Sequence, residues 1–117
     1  MTGGWPANMR EAFPLTRTSE QALTHQLSLC GISPSQVDTV VLSHLHLDHA
    51  GGAHFFPRAK IYVQQEELKH VMADQKNGTL SVFHQKCDLD NWEQAHLQWY
   101  PFPPVCGKFP SAPVLPL

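Results

Sequence analysis

The chain is poor in charge and concentrates none of it. Charged residues make up 15% of the 117, the formal net charge is −2, and no Lys/Arg cluster occurs. Without a basic face nothing would follow a phosphate backbone, so no nucleic-acid partner is expected. Long apolar runs are missing too: none approaches the roughly 20 residues that span a bilayer. The opening Met1-Thr2-Gly3-Gly4-Trp5-Pro6 lacks the charged and apolar regions of a signal peptide. No membrane partner is expected, and the cytoplasm is the expected compartment. Cysteine is sparse. Cys30, Cys87 and Cys106 lie far apart with no Cys-x-x-Cys spacing, which suits reduced thiols better than a disulfide framework. Cys30, among Leu27, Leu29 and Ile32, reads as a small buried hydrophobe. A chain of 117 residues also leaves room for one domain at most.

What the chain does have is histidine, eight in all, with His44, His46, His49 and His54 close together. Three of them share the stretch Ser43-His44-Leu45-His46-Leu47-Asp48-His49-Ala50-Gly51-Gly52, directly after the apolar run Val40-Val41-Leu42. Solvated loop histidines are the bland alternative, and this density argues against it. In an extended segment side chains alternate, so His44 and His46 point one way while Leu45 points into the protein. Two imidazoles on one face can grip one ion. Leu47 breaks the alternation, and a turn at Asp48 and His49 projects a carboxylate and an imidazole toward a neighbouring point. Such donors suit zinc, and also iron, cobalt or manganese; no cysteine in the motif argues for a closed structural zinc site. Gly51 and Gly52 are expected to allow positive φ and a close backbone approach.

The pattern His-x-His-x-Asp-His followed by glycine resembles the signature of the metallo-β-lactamase-fold hydrolases. The wider stretch 38–57 is similar to their quorum-quenching branch, the N-acyl homoserine lactone lactonases. The resemblance implies an α/β chain forming part of an αββα sandwich, with the C-terminal half of that fold missing. It implies two divalent ions, zinc foremost, with His44 and His46 on the first and Asp48 and His49 on the second. It further implies hydrolysis of a small lactone or ester by a metal-bound hydroxide, Asp48 also handling the proton. A third histidine, a bridging aspartate and a final histidine that the family uses have no counterpart here. The chain as it stands is therefore expected to be inactive or impaired.

Around the motif, Thr18-Ser19-Glu20-Gln21 has the form of a capping box and opens a helix over 19–30, its leucines inward and Gly31 its stop. Ser33-Pro34 caps a single turn. Residues 38–43 form the strand feeding the motif, buried on both sides to judge by their β-branched and Leu content. Phe55 and Phe56 suit a core better than a substrate pocket, and His54 falls outside the ligand spacing. Residues 60–64 make a second strand, and 65–73 a helix with Leu68, Val71 and Met72 inward and Glu66, Glu67 and Lys69 solvated. Residues 80–84 fit helix or strand equally, 88–92 read as a turn, and 97–100 as a strand. His70 reads as a surface residue, and neither His84 nor His96 has the context of a ligand.

The domain is expected over 1–100. Residues 101–117 hold six prolines and one charge, Lys108, and read as an irregular tail. A Pro-rich recognition segment or an unrelated extension would both give that composition. Two readings compete with the lactonase: a glyoxalase II-like thioesterase of the same superfamily, and a non-catalytic half-fold that binds metal or self-associates through an unfinished sheet edge.

Overall fold

The computed structural model describes residues 6–11 and 14–103. The glycines at 3 and 4, Trp5, Phe13, Cys106 and the tail from 104 onward lie outside the described residues.

Three short strands form one parallel sheet in the order β1 (Thr39–Val41), β2 (Lys60–Gln64), β3 (Gln98–Phe102). Parallel neighbours need long crossovers. The first crossover carries the helical turn α3 (Leu47–Ala50), and the second carries α4 (Gln65–Asn77) and α5 (Lys86–Gln94). Val40, Ile61 and Trp99 stand in register across the strands and share one face. Under that face lies the core, where Leu45, Ile61, Val63 and Val71 are at most 1% exposed. Full burial of each such side chain contributes roughly 1.5–3 kcal/mol. The opposite face carries the aligned row Val41, Tyr62 and Tyr100, with Val41 70% exposed. The expectation that the first strand is covered on both sides is therefore wrong. Its β-branched residues look alike in sequence, but only the Val40 side meets the core.

Two short helices precede the sheet: α1 (Ala7–Arg10) and α2 (Leu23–Leu29). The expected helix over 19–30 is broken. A 3-10 turn at Ser19–Gln21 ends where Ala22 takes extended backbone (ψ 144°), and α2 starts after it. The Gln21 carboxamide accepts the Thr18 N–H at 2.9 Å, and Gln36 does the same for Ser33 at 2.7 Å. Gly31 (φ 74°) supplies the expected stop. The leucines of α2 are not core: only Leu27 packs against it, and Leu23 and Leu29 are exposed, as is Cys30.

Helix α4 runs to Asn77 and ends on Gly78 in the left-handed region. Met72 faces solvent, against expectation, while Val71 is buried. Residues 79–85 are loop, neither helix nor strand. The stretch read as a turn at 88–92 is helical instead. Its aspartates suggest a turn, but Leu89 and Trp92 bury one helical face and Lys86 pairs with Asp90 at 2.8 Å. Strand β3 runs two residues past Tyr100, through Pro101, which an edge strand tolerates. Among the described residues no helix is long and apolar enough to cross a membrane.

Candidate metal centre

Strand β1 delivers the chain to the site. After it the chain bends at Ser43 and again at His46, and Leu45 is 1% exposed while its neighbours His44 and His46 are only partly buried. Leu45 is thus buried between two less buried imidazoles, as expected, but on bent chain beyond the end of β1 rather than within a strand. The rings of His44 and His46 meet edge to face with centroids 4.6 Å apart. Helix α3 begins at once: His46 is its N-cap, and its carbonyl accepts the N–H groups of both His49 and Ala50 at 2.9 Å. That turn brings Asp48 back toward the imidazoles. One donor atom from each of His44, His46 and Asp48 falls within a mutual 4.8 Å, a separation at which a single ion can be shared.

His49 completes the cluster from the side. Its ring lies 4.0 Å from that of His44, centroid to centroid, and its Nε2 stands 3.3 Å from Asp48 Oδ2. About half of each of these two side chains is exposed, so both face the open side of the site. His44 Nδ1 is hydrogen-bonded to the Ser43 hydroxyl at 2.9 Å. All four residues singled out from sequence converge. Three share one focus and His49 abuts it.

The glycines act otherwise than expected. Neither Gly51 (φ −59°) nor Gly52 (φ −91°) takes positive φ. Gly51 is needed for space: a Cβ there would sit 2.5 Å from the Leu47 carbonyl oxygen and 3.4 Å from Asp88 Oδ1. Behind it Asp88 is 1% exposed, and neither carboxylate oxygen has a hydrogen-bond partner among the described residues. Burial pushes its carboxyl above the usual carboxylate range. His54, outside the cluster, has Nδ1 3.0 Å from the Gly51 carbonyl, and burial lowers its pKa from the ordinary histidine value.

A cavity of about 430 Å³ opens beside Asp48 and His49, walled by Leu23, Leu42, Phe55 and Phe56 among others. Phe56 is core, as expected, and Phe55 packs against it; both also line this space.

Sequence reasoning missed the residues on the other side of His46. Phe83 stacks on its ring at 5.2 Å, and His84, 6% exposed, meets it at 4.9 Å. Glu67, read as solvated, reaches in from α4 to accept the Leu45 N–H at 3.0 Å. Only the run of aromatic and imidazole side chains at 83–84 hinted at this. Exposed His70 instead pairs with Asp74 at 3.1 Å, and His96 is exposed.

Fold and site together define a class: the chain belongs to the Metallo-beta-lactamase superfamily, whose pattern matches residues 2–98. The small parallel sheet with helices on one face is part of that fold, and the family together with the His/Asp cluster implies a divalent metal. Similar proteins are N-acyl homoserine lactonases. AiiB of Agrobacterium fabrum is 32% identical over 97 residues, which cover 83% of this chain and 35% of that protein. AttM of Azorhizobium caulinodans is 38% identical over 68 residues, 58% of this chain and 26% of that one. The chain thus spans about a third of the length of the AiiB proteins it matches.

Proposed function

We propose that this chain carries the metal-binding part of a hydrolase that opens small lactones or esters. His44 and His46 hold a first divalent ion, zinc in the simplest case, and Asp48 and His49 a second. The observation that carries metal binding here is the common focus of His44, His46 and Asp48 within 4.8 Å, while the assignment of Asp48 and His49 to a second ion rests on the family similarity. The donor set fits: imidazole and carboxylate oxygen are the ligands of catalytic rather than closed structural sites. A divalent ion there supplies a water of lowered pKa and a Lewis acid for a carbonyl. The residues do the rest. Asp48, half exposed at the edge of the cluster, is placed to take and return a proton as the ring opens. The apolar cavity beside it receives the hydrocarbon part of a substrate.

The similarity to proteins named N-acyl homoserine lactonases supports a lactone over a thioester. Hydrolysis of an acyl homoserine lactone, a simple aryl ester and an acyl thioester, each with added zinc, tests this reading against the glyoxalase II-like alternative. Metal-dependent turnover of the lactone that disappears in His44→Ala supports it; thioester turnover alone would replace it.

A second reading concerns the uncovered sheet face. Val41, Tyr62 and Tyr100 form an apolar row, with Val41 70% exposed. A second copy of the chain would bury that row, making the protein a self-associating half-fold.

A further inference from the structure

We propose that Glu67 is a positioning residue for the metal-binding imidazoles, fixing the peptide between His44 and His46 so that both rings face one ion. This rests on the metal-site reading above. Residues 43–46 belong to neither the sheet nor a helix and Leu47 is the first residue of α3, so the N–H groups of Leu45 and Leu47 have no ladder or intrahelical partner and must find acceptors elsewhere. Leu45 N–H finds the Glu67 carboxylate, 22 residues away on α4, at 3.0 Å. Leu47 N–H finds the Phe83 carbonyl at 2.9 Å. The two bonds bracket His46 from either side.

The same elements then hold its ring. Phe83 lies nearly parallel to the imidazole, with 29° between the planes, and His84 meets it at 62°. His84 is itself anchored, its Nδ1 3.0 Å from the Ser81 hydroxyl. Its Nε2, buried and without a hydrogen-bond partner among the described residues, stands 3.6 Å from the same Glu67 oxygen that holds Leu45. Glu67 thus links two supports of the site, the backbone at Leu45 and the ring at His84. Its side chain is 24% exposed, less than half the exposure of Glu66 one position earlier at 67%. A glutamate serving only as a solvated helix charge has no reason to turn inward.

The bond to Leu45 and the carboxylate charge can be separated. Glu67→Gln keeps an oxygen that accepts the Leu45 N–H but removes the charge; Glu67→Ala removes both. In the whole chain, cobalt(II) titration read by absorbance is expected to show Glu67→Ala weakening affinity roughly tenfold to a hundredfold, the usual loss when an outer support of a metal ligand is removed. Glu67→Gln is expected to restore most of it. Wild-type affinity in Glu67→Ala, or a loss in Glu67→Gln as large as in Glu67→Ala, would overturn the proposal.

A metal-free arm keeps this test separate from the metal-site reading. Leu45 amide exchange and the His46 ring resonances are followed by NMR in the same variants. Slow exchange and one sharp set of ring signals in wild type and Glu67→Gln, both lost in Glu67→Ala, support the bracket even if cobalt is not bound. Unchanged signals in Glu67→Ala refute it even if cobalt is bound. Should Glu67→Ala fail to fold, Glu67→Met, which keeps the bulk and removes the acceptor, is read by the same outcomes.

Discussion

The indole Nε1–H of Trp92 donates to the carbonyl of Ala50 across 42 residues of chain, at 3.1 Å and fully buried. It ties α5 to the turn that presents Asp48 and His49. Trp92→Phe keeps part of the edge-to-face packing on Trp99, at 5.6 Å, but removes this donor together with the volume of the second ring at a residue 2% exposed. Leaving a buried carbonyl short of its partner costs about 1–3 kcal/mol. Urea unfolding followed by circular dichroism is expected to show a loss of at least that size, the lost ring volume adding to the lost bond, and no loss would mean the indole bond is incidental.

The two glycines after the motif are expected to respond oppositely to alanine. At Gly51 the new methyl meets the Leu47 backbone oxygen at 2.5 Å, which cannot move without unwinding α3. Gly51→Ala should therefore destabilise by about 1–3 kcal/mol, as overpacked sites do. At Gly52 the nearest atoms are flexible side-chain carbons of Leu23 and Phe55 at 3.5 and 3.6 Å, and φ is −91°. Gly52→Ala should be neutral or stabilising by up to about 1 kcal/mol, through the unfolded state. Equal melting temperatures for the two variants would contradict this account of the loop.

Asp88 gives the stability a pH dependence of known sign. Burial raises its carboxyl pKa in the folded chain above the unfolded value of about 3.9. Between those two values the folded state holds more protons, so stability falls as pH rises through the window. At pH 7, well above the unfolded value, keeping this unpartnered carboxyl buried is a cost. Asp88→Asn is expected to stabilise by on the order of 1 kcal/mol at pH 7 and by much less near pH 4. Thermal melts at both values check it; a gain independent of pH would show that ionisation is not the cause.

Self-association is expected to respond to Val41. If a second copy covers the outer sheet face, sedimentation velocity at rising concentration shows a growing dimer fraction, and Val41→Lys, at a residue 70% exposed, suppresses it. A monomer at all concentrations would remove self-association and leave only the metal-binding form of the half-fold reading.

The site was legible in the sequence because its spacing is local. Leu45 turns inward between His44 and His46, and one helical turn then returns Asp48, so near neighbours in sequence sufficed to pick out the candidate cluster. Gly31 was equally readable as a helix stop with positive φ, whereas the helix expected over 65–73 runs on to Asn77 before Gly78 ends it. What escaped depends on contacts far apart in the chain. Glu67 looks like any helix carboxylate until Leu45 lies opposite it. The helix at 86–94 hid because Asp88, Asp90 and Asn91 are turn formers, and only burial of Leu89 and Trp92 against the core decides the matter. Likewise nothing in Val40-Val41 distinguishes the covered residue from the bare one.

The metal centre itself is tested most directly by zinc binding to the whole chain, by competition with a chromophoric chelator, in wild type, His44→Ala, His46→Ala and His70→Ala. Uptake by wild type and by His70→Ala, with at least a tenfold weaker affinity in each of the other two, is the predicted result. Equal zinc affinity in all four proteins, or none in any, would contradict it.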